Sequence, residues 1–157
     1  MKNSKGIWNK VFVLTLVGGL AFWLANFAIS RTAIAAEYRA AMSISYYPML
    51  IESLIGGLII GFWVSYALLR FFDKTPVKDP ILKSVILSSI VLVIITILLG
   101  GPSSFFATNN VWRYFIIGTT FNVIRILALG IAIGYVSKRQ YRGINPSVVA
   151  AKPAGLE

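Results

Sequence analysis

Neither cysteine nor histidine occurs among the 157 residues, and only five side chains are acidic. The first two absences exclude disulfides, thiol nucleophiles, Cys/His zinc sites, His- or Cys-ligated haem and imidazole acid–base chemistry. Few enzymes work with so few carboxylates, and no metal or other cofactor is expected. Charge of either sign is sparse as well: 13% of residues are charged, against about 25% in a typical soluble domain. Catalysis has little to work with, and an enzyme is the least supported class.

In place of these groups the chain has apolar surface. It is 57% hydrophobic, with a mean hydropathy of +0.79. A soluble core of this length cannot hide so much, so a lipid bilayer must cover part of it. Four apolar runs, at about 7–29, 48–72, 81–99 and 111–137, precede a basic polar tail, 138–157. Each approaches the 20 or so residues that cross a bilayer. The expected fold is all-α: one membrane domain, an up-and-down bundle of four transmembrane helices.

The net charge of +10 does not point to nucleic acid, because the basic residues flank the apolar runs instead of forming a separate patch. Lys2, Lys5 and Lys10, then Arg70, Lys74, Lys78 and Lys83, then Lys138, Arg139, Arg142 and Lys152 would share one side. Arg31, Arg39 and Arg113 would occupy the other. The richer side is cytoplasmic, giving a multi-pass protein of an inner or plasma membrane with both termini inside.

The first run has Trp8 and Lys10 at its entrance, and Ala33-Ile34-Ala35 resembles a signal-peptide cleavage site. The run is longer than the usual h-region of about 7–15 residues, which favours a retained helix. Over Arg31–Tyr47, Ile34, Tyr38, Met42 and Tyr46 recur every four residues, with Arg39 behind that face. This suits a short amphipathic helix on the membrane surface or an extension of the first span. Pro48 can open the second span. Prolines mark the turn over Asp73–Lys83, and Gly100-Gly101-Pro102 stops the third span.

Helix faces suggest an interior. On the second span Glu52, Gly56, Ile59, Trp63, Tyr66 and Arg70 fall within roughly 40° of one line, with Gly57, Gly61 and Ser65 opposite. On the fourth, Tyr114, Gly118, Phe121, Arg125, Leu129 and Ala132 share a face with Asn122 at its edge, and Gly130 and Gly134 form a ridge behind. Thr15, Gly19, Phe22, Asn26 and Ser30 align on the first. The third, whose serines make no stripe, looks the most exposed to lipid. The small-residue ridges suit close packing within the chain or between copies.

Arg125 stands near the middle of the last apolar run. A guanidinium there costs about 2.5–3.5 kcal/mol unless it faces protein, water or a ligand. Glu52 is the expected partner, with Asn26, Tyr66 and Asn122 completing a polar network. Such a site suits a small anionic or zwitterionic ligand, such as a lipid headgroup, in a binding or transport component. A carrier of so few spans would work as a homo-oligomer. The alternatives are an accessory subunit of a larger membrane complex, and an enzyme with Glu52 as base, Arg125 as electrostatic stabiliser and Tyr66 or Tyr114 as donor.

Overall fold

The computed structural model describes residues 4–71, 79–99 and 110–144. The Gly100-Gly101-Pro102 stop, most of the turn over 73–83 and the tail beyond 144 lie outside them. Five helices follow in order: α1 (Ser4–Ser30), α2 (Ala33–Ala41), α3 (Tyr46–Arg70), α4 (Pro80–Leu99) and α5 (Val111–Ile144). No strand occurs among the described residues.

Local chemistry explains the breaks. Arg31 and Thr32 interrupt the first helix, and the Thr32 hydroxyl accepts from the Ala35 N–H, so α2 starts as a capped helix and not as an extension of α1. Its exit turns on Ser43, which adopts a positive φ of 53°, the left-handed conformation that commonly ends helices. Pro48 falls in the first turn of α3, where its missing N–H leaves no bond unmade. The helix nonetheless begins two residues before the proline, at Tyr46.

Gly6–Ser30, Tyr46–Arg70 and Val111–Gln140 are each long and apolar enough to cross a membrane, and Pro80–Ile94 is a shorter apolar helix. Large apolar side chains cover the outside of these helices, among them Phe12, Leu20, Leu24, Ile51, Ile55, Ile90, Val93, Ile116 and Ile131, each at least half exposed. Soluble monomers rarely expose contiguous apolar patches beyond a few hundred Å². The helices are of the membrane type.

Helix α1 runs antiparallel to both α3 and α5. Trp8 stacks on Tyr66 at 6.3 Å near one end, and at the other Trp23 Nε1 donates to the Leu50 carbonyl at 3.1 Å. Helix α4 packs mainly along α5, and also touches α3. The seams are made of glycine. A β-carbon on Gly57 or Gly61 would come within 3.1 Å of α1 backbone oxygens, and one on Gly134 would sit 2.5 Å from Ile81 Cα of α4. Leu14, Phe22, Ile60, Val64, Leu68, Ile126, Leu129 and Ile133 fill the space between.

Helix α3 reverses the expectation from its polar line. Its buried face is Gly57, Ile60, Gly61, Val64, Ser65 and Leu68, while Ile59 and Trp63 are half exposed and Glu52 and Arg70 exposed. Helices in lipid gain little from hiding apolar side chains but much from dense contact, and only the glycine face permits close approach. Helix α4 differs too: Lys83, Ser84 and Ser88 are buried, with Ser88 Oγ donating to the Ser84 carbonyl at 2.7 Å. Lys83, Ser84 and Ser88 thus turn inward while Leu82, Ile86, Ser89 and Ile90 face outward.

Candidate functional site

Antiparallel register sets the depth of Arg125. Gly18 of α1 lies against Leu129 and Ile133 of α5, so the α1 residue level with Arg125 is close to Asn26. Gly18 is the midpoint of the Gly6–Ser30 segment, and Asn26 lies about 12 Å beyond it at 1.5 Å per residue. Arg125 is central in its own helix yet near the end of α1. The first turns of α5 overhang that end, and α2 leans against them.

Aromatic packing fixes α2 there. The Tyr38 ring sits edge-on to Tyr114 at 6.2 Å and to Phe121 at 5.8 Å. Gly118 makes room for it, since a β-carbon there would come within 2.8 Å of the Tyr38 hydroxyl. Outside this contact an exposed ion pair, Glu37 to Arg113 at 2.8 Å, ties the same two helices together. Burial raises the Tyr38 phenol above its ordinary pKa, and the Arg125 charge opposes that shift in part. It is therefore neutral at physiological pH.

Beneath α2 is a cavity of about 140 Å³, lined by Asn26, Ile29 and Ser30 of α1, Ala35, Tyr38 and Arg39 of α2, Ile44, Met49 of α3, and Phe121 and Arg125 of α5. Two guanidinium groups and no carboxylate line it. Arg125 Nη1 donates to Asn122 Oδ1 at 3.2 Å, but the buried Nε has no partner among the described residues. Arg39 Nη1 donates to the Ser30 carbonyl at 3.0 Å, and its guanidinium lies over the Tyr46 ring. Asn26 is 1% exposed, and both its Oδ1 and its Nδ2 lack a hydrogen-bond partner among the described residues. A buried amide with neither atom satisfied costs several kcal/mol unless water or a ligand completes it.

Of the expected network, Asn26, Asn122 and Arg125 come together here. Glu52 and Tyr66 do not. Glu52 is level with about Leu24, so depth is no obstacle to meeting Arg125; its side chain points away, on the exposed face of α3. Tyr66 belongs to the opposite end, between Trp8 and Phe62. Of the helix-packing residues, Gly57 and Gly61 meet α1 and Ser65 is buried on the same face, while Gly130 and Gly134 meet Val85 and Ile81 of α4.

Tyr38 and Arg39 line the cavity although the sequence pattern did not assign them to the polar network. The four-residue stripe through Tyr38 was a signal of a packed face. Nothing in it marked Arg39, which reaches the cavity because α2 folds back over the end of α1. The chain matches no family model, no curated protein and no solved structure.

Proposed function

We propose that this chain is a membrane-embedded binding component for a small anionic or zwitterionic ligand, held under α2 by Arg125. The observation that carries this reading is the cavity itself: two guanidinium groups and a buried, unsatisfied asparagine, with no acidic side chain to neutralise them. Charge of one sign in a low-dielectric recess selects the opposite charge. The same site would serve the binding step of a carrier.

The setting we propose is four spans with both termini cytoplasmic, α4 being the third in chain order, and the cavity on the opposite side. Twenty residues of α4 extend about 30 Å, the thickness of a hydrocarbon core. Most of the basic residues belong to the other ends of the spans, against Arg31, Arg39 and Arg113 on the cavity side. A single cysteine at position 104, in a chain that has none, should react with an impermeant reagent from outside the cell.

Native mass spectrometry of the chain purified in a maltoside detergent tests the binding itself. The wild type should retain a small anionic or zwitterionic species that a folded Arg125→Gln variant lacks. An identical bound species in both, or no anion that raises the wild type's Tm, would count against the reading.

A further inference from the structure

The cavity holds more information than the sign of its ligand. We infer that it takes a phosphate-type oxyanion gripped from two sides, by Arg39 of α2 and Arg125 of α5, with the Asn26 carboxamide contacting a hydrogen that the ligand carries. This rests on the anion-binding reading above and narrows it.

The number of donors points first to such a group. A carboxylate has two oxygens in one plane and engages both of them with a single guanidinium fork, a second donor having to approach in that same plane. Here two forks, on different helices, line one cavity of about 140 Å³. Each already donates one Nη1 hydrogen to the protein, Arg39 to the Ser30 carbonyl and Arg125 to Asn122. Those bonds hold the forks in place without using them up, and Arg125 Nε is unspent. A tetrahedral group with oxygens on several sides accepts from both whatever the angle between them, whereas a planar one does so only where both forks lie near its plane.

Asn26 points the same way. Its Nδ2 adds a donor, but its Oδ1 needs one. A protonated phosphate, a phosphate ester with a neighbouring hydroxyl, or a headgroup with an ammonium meets both needs; a bare carboxylate meets one. Size narrows the choice again. Sites that enclose a whole drug-sized ligand span about 300–1,000 Å³. A water occupies about 30 Å³, so this space holds one phosphate group and a short arm, and the remainder of any larger ligand must project outside. Inorganic phosphate and a phospholipid headgroup both fit that description.

Calorimetric titration of the purified chain in dodecyl maltoside separates the outcomes, using sodium phosphate, sodium acetate at matched ionic strength, and dihexanoyl phosphatidylglycerol. At least one phosphate species should bind tenfold or more tightly than acetate. Arg39→Gln should abolish that preference, weakening phosphate binding tenfold or more and acetate binding by less, and Arg39→Lys should restore it only in part, because an ammonium lacks the fork. Far-UV circular dichroism and Tm establish that both variants fold. Tighter binding of the short-chain lipid identifies a headgroup site, and tighter binding of free phosphate identifies an ion site; either supports the inference. Equal affinity for phosphate and acetate, or a preference that survives in a folded Arg39→Gln, overturns it and leaves the broader anion reading intact. Binding of none of the three by folded wild type sinks both, and the cavity is then a water pocket.

Discussion

At the level of Gly18 and Ile133 the helices touch through glycine and branched aliphatic side chains. Eight residues further along α1, at Asn26, the same pair encloses a cavity with orphaned polar atoms. The first region holds the helices together by contact density; the second gives up that density and leaves polar groups incompletely paired. Adjacent parts of one helix pair thus separate the two demands on a small membrane protein. The glycine seam supplies close packing, and the end capped by α2 is where the proposed anion site lies.

The comparison breaks most visibly at the seam. Gly134→Leu forces a side chain onto the Ile81 backbone, where nothing flexible can yield. Overpacking of this kind costs about 1–3 kcal/mol and sometimes more, and the upper end is expected, as a Tm fall on the order of 10 °C. Gly56 is the control, since a β-carbon added there would meet no atom within 4 Å. Gly56→Ala should leave Tm unchanged or raise it through helix propensity.

The cavity should respond in the opposite sense. Arg125→Gln removes a guanidinium that does not hold the seam, so Tm should move little while anion affinity falls roughly a hundredfold, the scale of a charge-assisted contact in a desolvated site. Asn26→Leu sharpens the point. Replacing an unsatisfied amide by an apolar group of similar shape is neutral or stabilising, so the ligand-free protein should melt at the same or a higher temperature. The ligand-induced rise in Tm should shrink. A seam residue cannot show that pair of results.

A smaller effect is expected at the α2 contact. Glu37 and Arg113 are both substantially exposed, and such pairs contribute about 0.2–1 kcal/mol. Glu37→Gln should barely change Tm but speed hydrogen exchange in α2, because Tyr38 would then carry the contact almost alone.

How much of this could be read beforehand depends on the kind of residue. The long helices announced themselves, because apolar runs of 20 or more residues have few other homes. Asn26 and Arg125 stood out because polar groups within such runs are costly. Direction was harder. On α3 the helical period correctly separated two faces, but it could not say which one faced inward, and polarity favoured the face that turned out to be exposed. The deciding quantity was backbone approach at Gly57 and Gly61, a property of the partner helix as much as of α3. Arg39 was hidden for a different reason: its role depends on α2 folding back at Thr32, a tertiary event with only a weak local signal.

Glu52 is where these two logics can be separated most cleanly. Sequence alone pairs it with Arg125, since both are charged and both lie in apolar runs, with a depth difference of several Å at 1.5 Å per residue that a long arginine can span; the register of the folded helices brings the two to nearly the same depth. The structure gives Glu52 to the outer face of α3, where it makes no ion pair among the described residues. If it were the partner of Arg125, Glu52→Gln would strand a buried guanidinium, costing about 3–5 kcal/mol and altering anion affinity. With the carboxylate turned away, neither should occur: stability should shift by less than about 0.5 kcal/mol, and the titration curve for phosphate should superimpose on the wild type's. A double variant with Arg125→Gln then shows no coupling, since ion pairs that do not exist have no interaction energy to lose. Coupling above about 1 kcal/mol, the range of residues in direct contact, would return Glu52 to the site and close the cavity's deficit of negative charge from within.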